Sequence, residues 1–185
     1  NGTTTTAADN GTTTTTEASG VDFSEHVKLT WAISGAGGVG TAVANQKAID
    51  MIKERSGGAI EIEFVTEGDL GNEASTLQQV MEGSLDITGC AIGIVSGYSE
   101  YLSVFQMPFL INNYELEAKV LLSDEWKALV EAANKDLDTA TILGGTEFGM
   151  RGIATIDNPV TKMEDVKGLK VRTGGNPVID QAMTL

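Results

Sequence analysis

The chain has 185 residues, 41% of them hydrophobic, which is enough for one sizeable domain, or one domain plus part of another, around a packed core. Lys and Arg total 12 against 26 Asp and Glu, and the resulting charge of -14 argues against nucleic acid and against an anionic membrane surface, since both demand a positive face. A small anionic ligand stays open, because two well-placed arginines make a local positive pocket inside an acidic protein.

Residues 1–22 hold nine threonines in the first 16 positions and almost no apolar surface, so they predict a disordered, solvated tether of the kind carried by exported or surface-anchored proteins. Asn1-Gly2-Thr3 and Asn10-Gly11-Thr12 match the glycosylation sequon, a chance match in so repetitive a stretch. Val27–Ser34 reads as a strand, followed by the glycine-rich turn Gly35–Gly40. Thr41–Ser56 predicts a helix with Ala44, Ala48, Met51 and Ile52 on its apolar face and Gly57-Gly58 as its stop. Ala59–Val65 alternates as a second strand, and Asn72 caps a helix to about Glu82 that turns Leu77, Val80 and Met81 inward before Gly83. Leu85–Val95 is nearly all apolar, as expected of a strand covered on both faces.

This β-α-β-α-β run is the signature of a mainly parallel sheet wrapped by helices; beyond it, Met107–Ile111 looks buried and a helix is expected near Tyr114–Leu122. Another helix, capped at Ser123 or Asp124, presents Trp126, Leu129, Val130 and Ala133. Residues 140–155 suggest two strand segments around a flexible Gly144-Gly145 pair. A short turn then leads to a strand ending at Arg172, and a last helix starts around Asn176. Trp31 and Trp126 are expected in the core, while Tyr98 and Tyr101 border a loop.

Chemistry-bearing groups are few. His26 is the only histidine and lies near the chain's start, which excludes a His-based triad or a His-rich metal site. Cys90 is the only cysteine, sits in an apolar run and reads as a small buried hydrophobe. No apolar run approaches the roughly 20 residues that span a bilayer. Gly35-Ala36-Gly37-Gly38-Val39-Gly40 satisfies G-x-G-x-x-G between a strand and a helix, the context of a dinucleotide-binding fingerprint. Against an NAD-dependent oxidoreductase stand the placement of Glu67 in a turn rather than at a strand end, and the lack of a histidine for hydride chemistry. A glycine turn that brings backbone N–H groups toward any bound anion fits equally well.

Several blocks carry a resemblance: Lys53–Glu63, Asp69–Gly71 leading to Leu77–Thr88, Met107–Tyr114, Gly149–Arg151 and Asp165–Arg172. In order and spacing the body from Val27 to Leu185 resembles the DctP-type solute-binding proteins of tripartite ATP-independent periplasmic (TRAP) transporters. The resemblance implies an α/β, two-lobed periplasmic-binding-protein-like fold of class II type that closes on ligand like a Venus flytrap and catalyses nothing. Lobe I would span 23–145, with 146–185 crossing the hinge and beginning a second lobe incomplete in this chain, since family members continue well beyond this length.

The implied function is extracytoplasmic capture of a small organic acid and its delivery to the TRAP membrane permease, with no cofactor, metal or nucleic acid. The body would be periplasmic or held at the cell surface, with a lipid anchor on an N-terminal Cys absent from this chain as one form of tether. Arg172 would form a bidentate salt bridge with the ligand carboxylate, and Arg151 would assist. Ser34, Gly35 and Gly37 would face the cleft with their backbone N–H groups. Phe148, together with Thr146 and Glu147, would line it, and Asn176 would bond the ligand or cap the last helix. The competing reading makes both arginines ordinary surface residues. Gly89-Cys90-Ala91-Ile92 lacks the acidic residue that sialic-acid-binding relatives carry there, which argues for a smaller or more apolar acid than a sugar acid. A further alternative is a partial product that folds in part and binds nothing.

Overall fold

The computed structural model describes residues 24–38, 40–147, 149–157, 159–174 and 177–184. The expected tether and its sequons, Phe148 and Asn176 lie outside the described residues.

Among the described residues three parallel strands form the sheet: β1 (Val27–Ile33), β2 (Ile60–Val65) and β3 (Ile87–Gly89), in the order β2-β1-β3. Parallel neighbours need crossovers, and the chain supplies them as α1 (Thr41–Arg55) and α2 (Glu73–Met81). With β1 central, right-handed crossovers to its two sides place these helices on opposite faces. Accordingly α1 packs on β2, while α2 packs on β1 and β3. Gly57 and Gly58, at φ 60° and 86°, end α1 as the sequence predicts. Asn72 caps α2 by accepting the Ser75 N–H at 3.0 Å.

Two expectations for this region need correction. The buried side of α1 is Ala42 and Ile49; Ala48 and Ile52 of the expected face are half-buried, whereas Ala44 is exposed and Met51 remains 47% exposed, so the helix is rotated part-way from that face. A string of alanines at Ala42, Ala44 and Ala48 leaves the helical phase poorly marked by hydrophobicity. The strand expected over Leu85–Val95 is only Ile87–Gly89, because Ala91 departs from the ladder and Ile92–Val95 winds into the short helix α3.

A second apolar cluster lies beside the sheet. The 3-10 helix Glu100–Gln106, α4 (Tyr114–Leu121) and α5 (Asp124–Asn134) gather Leu102, Trp126 and Ala133, joined by Phe105, Leu121, Leu129, Val130 and Ile142. Ser123 is the α5 cap, accepting the Trp126 N–H at 3.1 Å. Trp126 is buried and meets Phe105 edge-on with centroids 5.3 Å apart. Trp31 is half-buried rather than fully in the core, edge-on to Phe64 at 5.8 Å. Met107–Ile111 is not buried: Phe109 is 90% exposed, at φ 63°.

Residues 140–155 form no strand among those described, and neither does the stretch before Arg172. Their backbone finds other partners. The Asn134 side chain accepts the Ile142 N–H at 2.7 Å and donates to the Ile142 carbonyl at 3.2 Å, standing in for a neighbouring strand. Further on, a 3-10 turn at Met163–Val166 is organised by Asp165, whose carboxylate accepts from the Thr161 N–H and hydroxyl and the Lys162 N–H. Those bonds favour the anion and hold its pKa below the usual carboxylate value. The final helix, α6 (Pro177–Ala182), touches the 3-10 helix at Glu100–Gln106.

Candidate functional site

A parallel sheet ordered β2-β1-β3 has its switch point between β1 and β3, where successive connections leave in opposite directions. Loops at the carboxyl ends of those strands diverge and leave a crevice, the usual place for a ligand in such folds. Ser34 directly follows β1 at this point and is half-buried, with Gly35 and Gly37 exposed beside it.

One carboxylate ties the crevice together. Glu73, in the first turn of α2, accepts the Ala91 N–H through Oε2 at 3.0 Å and the Ser34 hydroxyl through Oε1 at 3.4 Å. It thus bridges the end of β1 to the chain leaving β3, and the positive end of the α2 dipole favours its charge there. Glu73 was missed in the sequence because its contacts are 39 and 18 residues away. The available signal was an acidic residue just after a capped helix start that follows a parallel strand.

That placement corrects the premise used against sugar acids. No acidic residue occurs in Gly89–Ile92, yet a carboxylate does stand at the end of β3, delivered by α2 rather than by the strand. Cys90 beside it is half-buried, and burial, followed by the Glu73 charge, pushes its thiol pKa up to about 11. Alkylation by iodoacetamide at pH 8 is therefore expected to be slow in the native protein and to accelerate only as pH approaches 11. Labelling of the native protein as fast as that of the unfolded chain at pH 8 would contradict this environment.

The glycine turn is held by its neighbour. Gly37 donates its N–H to Glu67 Oε1 at 2.7 Å, and Glu67 returns its own N–H to the Gly35 carbonyl at 2.9 Å. A Cβ at Gly37 would sit 3.0 Å from the Thr66 hydroxyl, so the close approach of these two turns favours glycine. The N–H that a dinucleotide phosphate would claim is already occupied by a carboxylate of this chain, which weakens the nucleotide reading on physical grounds.

Arg151 and Arg172 lie on exposed chain without regular structure. A Cβ built on Gly174 would be 3.6 Å from Arg151 Nη1, so the structure brings Arg151 against the segment just beyond Arg172. Among the described residues neither arginine pairs with a carboxylate, and no hydrogen bond joins either to Ser34, Glu67 or Glu73. Two hollows lie away from the β1 crevice. One, of about 370 Å³, is walled by Phe105, Val120, Trp126 and Leu129; the other lies among Tyr98, Glu100, Tyr101 and Asp136. No helix among the described residues is long and apolar enough to cross a membrane.

Residues 40–185 match the family described as "Bacterial extracellular solute-binding protein, family 7", DctP, and the chain belongs to that family. It is 27% identical over 139 residues to the 2,3-diketo-L-gulonate-binding periplasmic protein of Escherichia coli, covering 74% of this chain and 41% of that protein. Among solved structures it is similar to a TRAP periplasmic solute-binding protein from Pseudomonas putida with bound D-glucuronate. The identity there is 27% and the TM-score 0.79, with 85% of this chain and 51% of that one covered. A TRAP periplasmic solute-binding protein from Ochrobactrum anthropi, whose C-terminus is bound in its ligand-binding pocket, gives 26% identity and a TM-score of 0.76 over 88% of this chain and 50% of that one. The chain thus spans about half the length of these two solved proteins and 41% of the Escherichia coli relative, and over that span it has an α/β, periplasmic-binding-protein-like architecture. The relatives are solute-binding proteins and not enzymes, which sets aside the oxidoreductase reading of Gly35–Gly40.

Proposed function

We propose that this chain is the ligand-capturing part of an extracytoplasmic TRAP receptor that binds a sugar acid and presents it to a membrane permease. The observation that carries the reading is the Glu73 carboxylate bridging Ser34 and Ala91 at the sheet's switch point. In a chain of this family, such an acceptor-lined rim suits the hydroxyls of a sugar acid. Support for that ligand class comes from the D-glucuronate held by a structural relative at 27% identity, and it displaces the smaller, more apolar acid first expected.

The anionic end of the ligand would go to Arg172, a planar guanidinium that matches a carboxylate fork, with Arg151 assisting from beside Gly174. Residues 23–145 would form lobe I, and 146–185 the crossing to a second lobe. The pivot would fall at Gly144, where an added Cβ meets nothing within 4 Å, while Gly145 is pinned against Trp126. Closure would exclude water, strengthen the ion pair and give the permease a surface absent from the open form.

Calorimetric titration with D-glucuronate and native mass spectrometry of protein purified from cells test the proposal. A one-to-one complex with a sugar acid is expected. No binding to D-glucuronate, D-galactonate or D-erythronate, with no co-purifying acid, would overturn it.

A further inference from the structure

Glu67 combines two unusual features. It is one of two non-glycine residues with positive φ among those described, at 62°, a conformation that disfavours side chains bearing a Cβ. Its carboxylate and backbone N–H also both reach across to the Gly35–Gly40 turn, at 2.7 and 2.9 Å. A glycine would take the same backbone shape without strain, so local conformation alone does not account for a glutamate here. What the side chain adds is an anion seated on the Gly37 N–H, where the β1 and β2 turns meet.

We infer that Glu67 is a specificity-determining residue: its carboxylate fills the anion niche of the β1 turn and makes the ligand enter with an uncharged, hydroxyl-bearing end toward this rim. The inference rests on the receptor reading above. With Glu73 a few residues along the same rim, a ligand carrying carboxylates at both ends would set one of them against fixed negative charge. The sequence hides this role, since Glu67 presents itself only as a turn residue 30 positions from Gly37.

The test compares D-glucuronate, which has one carboxylate, with D-glucarate, which has one at each end, by calorimetry on the intact protein. Wild type is expected to favour D-glucuronate by at least about tenfold, the ratio of an unfavourable charge contact of ~1.4 kcal/mol. Glu67→Gln keeps a hydrogen-bond acceptor for the Gly37 N–H and removes the charge, so it should shrink that preference several-fold. Glu67→Gly, which eases the backbone, should shrink it as well while leaving thermal stability level or higher; a residue serving only the turn's shape would not separate the two effects. If wild type binds D-glucuronate and the preference is the same in both variants, the role of Glu67 is overturned while the receptor reading stands. If wild type binds neither acid, nor any other sugar acid, the receptor reading fails and this inference falls with it.

Discussion

Replacing Arg172 with alanine is expected to weaken D-glucuronate binding at least about thirtyfold. Removing one partner of a desolvated, hydrogen-bonded charge pair costs ~2–5 kcal/mol, much of it from stranding the partner's charge. Arg172 is exposed, and among the described residues no carboxylate neutralises it, so ligand need not compete with an internal salt bridge. Arg172→Lys should fall between wild type and alanine, since an ammonium keeps the charge and loses the two-pronged geometry. Arg151→Ala should cost less, in keeping with an assisting role. Calorimetry on the three variants decides the matter, and affinity unchanged by Arg172→Ala would remove that residue from the mechanism.

The largest effect on stability is expected from Trp126→Ala. The indole is 8% exposed, lies between Phe105 and the Gly145 backbone, and joins α5 to the 3-10 helix at Glu100–Gln106. Alanine keeps α5 helical, so the loss is one of packing and the cavity left behind, about 3–5 kcal/mol. Gly145→Ala attacks the same contact from the other side. Its Cβ would lie 2.9 Å from Trp126 Cζ2 and 3.0 Å from Leu121 Cδ2, an overpacking that costs roughly 1–3 kcal/mol. In the Trp126→Ala background the Gly145→Ala penalty should shrink, because the ring it strikes is gone and Leu121 gains room to yield. Urea denaturation of the four proteins measures the coupling; fully additive losses would show that Gly145 and Trp126 do not share a contact.

The elements built on local signals were legible. Period-two alternation marked β2, Asn72 and Ser123 marked helix starts, and Gly57-Gly58 marked a helix end, each a signal confined to one short segment of chain. The parallel sheet followed from their alternation. What escaped depended on distant partners. Extended chain at 140–155 has strand-like composition, but a strand needs a neighbour, and Ile142 takes an asparagine side chain instead. Ser34, Gly35 and Gly37 were correctly placed at the carboxyl end of β1, whereas Glu67 and Glu73 arrive from the next turn and the next helix. Residue spacing along one segment carries no record of such meetings.

Among the described residues β2 lies at an edge of the sheet, with its own consequence for handling the protein. Glu61 and Glu63 alternate along it and pair with Lys53 at 3.4 Å and Lys28 at 3.2 Å, all four side chains more than half exposed. These pairs contribute little to folding energy. Their value lies between molecules: a second copy docking its own β2 alongside, edge to edge, would bring like carboxylates into register and meet long, hydrated lysine chains. Concentrated solutions should therefore resist growth of intermolecular sheet along this border, and charge-removing changes at Glu61 or Glu63 would open a route to fibrous association that the native pattern blocks.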